Sequence, residues 1–88
     1  MFTPDASATY HMTVENWDDE GTRFRVTLYN VATQCSVHQD VYTLAWVARA
    51  FRPANITLVT MRAHGATIDN TMRHFATSKG AEFNDMRG

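Results

Sequence analysis

Tyr10-His11-Met12-Thr13-Val14-Glu15 and Phe24-Arg25-Val26-Thr27-Leu28-Tyr29 both alternate apolar with polar side chains, and the acidic segment Trp17-Asp18-Asp19-Glu20-Gly21 lies between them. Successive side chains of a strand point to opposite faces, so alternation of this length marks a half-buried antiparallel hairpin. The first strand is expected near Thr9 to Asn16, with Tyr10, Met12 and Val14 on one face and His11, Thr13, Glu15 and Trp17 on the other. The second is expected near Thr22 to Val31, with Phe24, Val26 and Leu28 inward and Arg23, Arg25, Thr27 and Tyr29 outward. One face then meets a core and the other meets water.

A third alternation, Cys35-Ser36-Val37-His38-Gln39, completes a meander after the polar Ala32-Thr33-Gln34 connection. Helical periodicity follows. Leu44, Val47, Ala48 and Phe51 fall at i, i+3, i+4 and i+7. Asp40 or Thr43 can cap that helix, and Pro53 stops it, because the residue before a proline is pushed out of helical geometry. Ile56 to Met61 is β-branched and apolar and reads as another strand. A second helix carries Ile68, Thr71, Met72, Phe75 and Ala76 on one face, with Thr67 as N-cap and Lys79-Gly80 at its C-terminal end. Residues 1–8 read as a flexible arm and residues 81–88 as a frayed tail. The expected fold is α+β in two layers: an antiparallel sheet in the order β-β-β-α-β-α, with both helices on one face. The 88 residues form a single small domain.

Composition narrows the function. Net charge is −1, without the basic excess of a nucleic-acid binder, so no direct nucleic-acid partner is expected. The charge is uneven: residues 1–20 hold five acids and no base, whereas residues 21–62 hold five arginines against Asp40 alone. Seven arginines face one lysine. Arginine is planar, weakly hydrated and able to bond at two points, which suits protein interfaces. The lone Cys35 excludes an internal disulfide and a cysteine zinc cluster, and it reads as a small buried hydrophobe. Met1 to Ala6 lacks the basic and apolar regions of a signal peptide, and no apolar run approaches the about 20 residues of a membrane helix. A cytosolic protein with no membrane partner is expected.

Catalytic motifs are scarce. His11, His38, His64 and His74 show no zinc spacing, so no metal and no cofactor is expected. Glycines at 21, 65, 80 and 88 make no phosphate-cradling loop. A small RNA-cleaving toxin using His74 or His64 is the enzymatic alternative, though such a protein wants a basic surface to hold RNA. Trp, Tyr and Arg are the residues most enriched at interface hot spots. The outward set Trp17, Arg23, Arg25 and Tyr29, with Glu15 at its rim, is therefore the candidate binding face. Trp46 and Arg49 on the first helix form the second candidate.

The stretches Val14-Glu15-Asn16 and Val26 to Val37, followed by Asp40 and a helix bearing Leu44 and Trp46, resemble a family of small phage anti-CRISPR proteins. The similarity spans residues 12–51 and rests on the Asn30-Val31 and Ser36-Val37 pairs. It implies a non-enzymatic inhibitor that binds a host protein complex, the type I-F surveillance complex, and obstructs its target DNA. The family's contact residues do not carry over: Asn16 or Trp17 stands where it has a tyrosine, and Tyr29 stands where it has an acid. The same element order is similar to small RNA-polymerase inhibitors of short-tailed phages, which are more acidic. A self-associating subunit, pairing through an exposed sheet edge as a homodimer, is the remaining alternative.

Overall fold

The computed structural model describes residues 2–87 and has the expected α+β, two-layer organisation. Three strands, β1 (Tyr10–Asn16), β2 (Arg23–Asn30) and β3 (Cys35–Thr43), form the meander. A single helical turn, α1 (Leu44–Val47), runs into a 3-10 turn at Arg49–Phe51. Then come β4 (Ile56–Met61), α2 (Ala66–Lys79) and β5 (Glu82–Asp85). No helix among the described residues is long and apolar enough to cross a membrane.

The two turns of the meander are built by side chains that imitate backbone acceptors. Asp18 Oδ1 accepts the N–H groups of Thr22 and Arg23 at 3.0 and 3.3 Å, while Gly21 takes a left-handed φ of 72°. Asn30 Oδ1 accepts from the N–H groups of Ala32 and Thr33, and the next turn residue, Gln34, sits at φ 57°. Asp and Asn serve here because their short side chains reach the backbone two to five residues on.

The sheet has five strands in the order β3-β2-β1-β4-β5. It is mixed. The meander is antiparallel, as expected, but β4 lies parallel to β1 and β5 parallel to β4. Both parallel joins follow from the connections, because a chain that crosses over through a helix re-enters the sheet in the same direction. The segment read as a frayed tail is therefore a strand. Its cause is the end of α2: Ala81 N–H donates to Ala76 C=O at 2.8 Å and Gly80 N–H to Thr77 C=O at 3.1 Å, with Gly80 at φ 66°. This closure reverses the chain onto the edge of β4. Arg87 and Arg73 then tie Asp85 to Asp69, and Arg73 lies 4.4 Å from the Phe83 ring centre.

The first helix is shorter than its stripe suggested. Pro53 has no N–H and its ring would crowd the carbonyl of Arg49, so the chain tightens to i→i+3 bonds: Arg52 to Arg49 at 3.3 Å and Ala54 to Phe51 at 3.1 Å. Neither expected cap operates: Asp40 belongs to β3, and Thr43 precedes α1 without a side-chain capping bond. Gly65, not Thr67, stands at the start of α2.

Strand register sends Tyr10, Met12, Val14, Phe24, Val26 and Leu28 to one face, where they meet Val47, Phe51, Ile68, Met72, Phe75 and Ala76 in a single core. A bulge at Thr57 lets Ile56, Val59 and Met61 all join that face, although Ile56 and Val59 are an odd number of residues apart. The arm also packs. Phe2 stacks on His38 at 4.9 Å and meets Tyr10 edge-on at 5.9 Å, and the Tyr10 hydroxyl accepts the Asp5 N–H at 3.0 Å.

Candidate functional site

Among the described residues no helix covers the outer face of the sheet, and pairing arranges its side chains in rows. Ser36, Tyr29, His11, Leu58 and Glu82 form one row across the five strands; Gln39, Thr27, Thr13, Thr60 and Asn84 form the next. Val41, Arg25 and Glu15 form a third, extended by Arg62, whose N–H bonds the Val14 carbonyl at 2.9 Å. Arg23 and Trp17 end the face, joined by a 3.0 Å bond from the Trp17 N–H to the Arg23 carbonyl.

All five residues of the sequence-derived set lie on this face, at its two ends. Glu15, Trp17 and Arg25 come together. Arg25 Nε stands 3.7 Å from Glu15 Oε1, and its guanidinium carbon lies 5.9 Å from the Trp17 ring centre. Nε is buried yet has no hydrogen-bond partner, because 3.7 Å is an ion-pair distance beyond hydrogen-bond reach. Arg23 is exposed beside them, and Trp17 is 55% exposed. Tyr29 is 40% exposed but lies four residues along β2 from Arg25, roughly 13 Å away. Its neighbour across the strand pair is His11, with which it flanks a hollow of 320 Å³ that reaches Val31 and Gln34.

Between the two ends runs a flat polar stripe. Thr27 is only 2% exposed and accepts a hydrogen bond from Gln39 Nε2 at 2.9 Å. Small hydroxyl side chains there keep the face level, which suits a broad contact and not a deep ligand cavity.

A second feature was only partly visible in the sequence. On the helix-covered side of β3, a groove of 980 Å³ runs between Phe2, Pro4, His38, Asp40, Tyr42, Trp46 and Arg49. His38 Nε2 and the Tyr42 hydroxyl share a hydrogen bond of 2.6 Å. Burial, followed by the negative charge of Asp40, pushes the Tyr42 hydroxyl pKa up. Arg49 lies 5.5 Å over the 57%-exposed Trp46 ring. The Trp46–Arg49 pair was readable from its i, i+3 spacing. The Phe2, His38 and Tyr42 walls were not, because they require β3 to run on to Thr43 and the arm to fold back.

Cys35 is exposed and not buried as read; its Sγ lies 3.4 Å from the Thr33 carbonyl. The histidines of the enzymatic alternative lie apart. His64 N–H bonds Asn16 Oδ1 at 2.8 Å and its hollow is shared with Asp18, Asp19 and Glu20. His74 is exposed on α2 beside Arg52, Ser78 and Lys79. The three acids near His64 would repel RNA phosphates. Among the described residues no three His, Cys, Asp or Glu side chains converge as a metal-ligand set. The sequence matches no protein-family model, and no curated protein matches it.

Proposed function

We propose that this chain is a non-enzymatic inhibitor of the phage type, acting in the host cytosol by laying its uncovered sheet face on a host protein complex. The carrying observation is Arg25, held between Glu15 and Trp17 with a buried Nε that lacks a hydrogen-bond partner. A guanidinium positioned by a carboxylate and an indole is already ordered before binding, so a partner's carboxylate can engage it at low entropic cost. The acidic tip, Asp18-Asp19-Glu20, stands at the same end of the sheet. It favours a protein surface over a polyanion.

The resemblance to anti-CRISPR proteins makes the type I-F surveillance complex the first target to test, and host RNA polymerase the second. The protein should block target-DNA binding by the purified surveillance complex. Arg25→Ala and Tyr29→Ala should each keep stability within about 0.5 kcal/mol, and the double variant should stay folded. It should lose about 2 kcal/mol of binding, a roughly 30-fold weakening. Full-strength binding by the folded double variant would displace the site to Trp46 and Arg49. Cleavage of total RNA that disappears on His74→Ala or His64→Ala would overturn the non-enzymatic reading.

A further inference from the structure

The two edges of the sheet are finished differently. β5 is four residues long and is locked by Asp85, Arg87 and Arg73. β3 is nine residues long, contains no proline and no lysine, and is exposed along most of its length; its register shifts at Val37, so the regular part of the edge runs from His38 to Thr43. An edge of that kind is a template for another strand unless something guards it.

The direction of its free backbone groups follows from the ladder. Trp17 N–H donates to Arg23 C=O, and Val31 N–H to Thr9 C=O, so the odd-numbered residues of β2 bond β1. The even-numbered residues of β2 therefore bond β3, through its residues His38, Asp40 and Tyr42. Gln39 and Val41 are left with their N–H and C=O groups directed away from the sheet. Consistent with this, the Val41 N–H bonds no strand and is taken at 2.8 Å by the carboxylate of Asp40.

We propose that β3 is a homodimer edge, two copies pairing antiparallel about a two-fold axis at Gln39. This register places His38 of each copy opposite Asp40 of the other, in the close non-hydrogen-bonded pairs. Only this register sets both Asp40 carboxylates against a His38 ring. A shift one way sets Asp40 against its own copy, and a shift the other way leaves both Asp40 carboxylates without the His38 ring. Like charges directly opposite across a strand pair oppose it. The groove on the helix side of the edge fits the same occupant. The second copy's Asp40 would project toward a cavity lined by Arg49, which makes no ion pair among the described residues. Strand pairing alone buries little surface, so the dimer is expected to be weak and to dissociate on dilution. The pairing leaves the open face free, so it stands independently of the binding function proposed above.

Light scattering on the full chain across a dilution series should give twice the 10.0 kDa chain mass at high concentration. Gln39→Pro removes an outward N–H that no strand of the same chain uses; it should keep the circular dichroism of the parent and run as monomer. Should that variant unfold, a second test stands without it. In a Cys35→Ser background, Gln39→Cys should form an intermolecular disulfide under mild oxidant, since facing residues at a hydrogen-bonded antiparallel pair lie about 5.5 Å apart. Asp40→Cys, offset by two residues from its own copy, should not. A wild-type chain that is monomeric throughout, a folded Gln39→Pro dimer, or equal crosslinking at 39 and 40 would each overturn the proposal.

Discussion

On β2, Thr27 and Leu28 are neighbours in the chain, face opposite sides of the sheet, and are 2% and 0% exposed. Their burial has different origins. Leu28 is covered by the helices and touches a core of aliphatic and aromatic groups. Thr27 is covered by its own sheet, between Thr13 and Gln39, with a hydrogen bond satisfying its hydroxyl. The first kind of burial removes apolar area from water and drives folding. The second merely levels a surface. Low exposure therefore does not by itself identify a core residue in a one-sided sheet.

The largest expected effect tests the covered face. Leu28→Ala should cost about 2–5 kcal/mol, because the lost transfer free energy adds to that of the cavity. Chemical denaturation reads it as a lower midpoint at unchanged slope. Thr27→Val, nearly isosteric, should cost at most about 1 kcal/mol, since the freed Gln39 amide can turn to water. Comparable losses at the two positions would erase the distinction between the faces and make the open one part of the core.

The smallest effect concerns the β5 edge. Hydrogen bonding to Arg73 lowers the Asp69 pKa, and hydrogen bonding to Arg87 lowers that of Asp85 still further. Folded pKa values below the unfolded value of about 3.9 make a contribution that is full above that pH. It is lost as pH falls toward the folded values. Asp85 is exposed and Asp69 half-buried at the surface, so solvent and salt keep the contribution small. Thermal melts through acid should slope downward, and Asp85→Asn should flatten the slope, most clearly at low salt. A slope unchanged by Asp85→Asn would mean that the ion pairs of Asp85 add nothing to the hold on β5.

Legibility tracked sequence distance. The outward set Glu15, Trp17, Arg23, Arg25 and Tyr29 could be read directly, because the period-2 geometry of a strand assigns faces once one buried residue is known. The face of α2 was readable for the same local reason: Ile68, Met72, Phe75 and Ala76 repeat at the helical period and all are buried. The length of β3 was not, since Asp40-Val41-Tyr42-Thr43 carries as much of a helix-start signal as of a strand. The β2 ladder decided between them. Glu82-Phe83-Asn84-Asp85 has one apolar residue and no strand signal of its own; it is a strand because the closure at Gly80 delivers it to the free edge of β4. Local alternation and periodicity thus determined the hairpin, the helix faces and the residues offered to solvent. Strand direction, the bulge at Thr57, the fifth strand and the groove beside β3 were decided only by tertiary pairing. Each depends on hydrogen bonds and contacts between segments far apart in the chain, whose free energy no single segment contains.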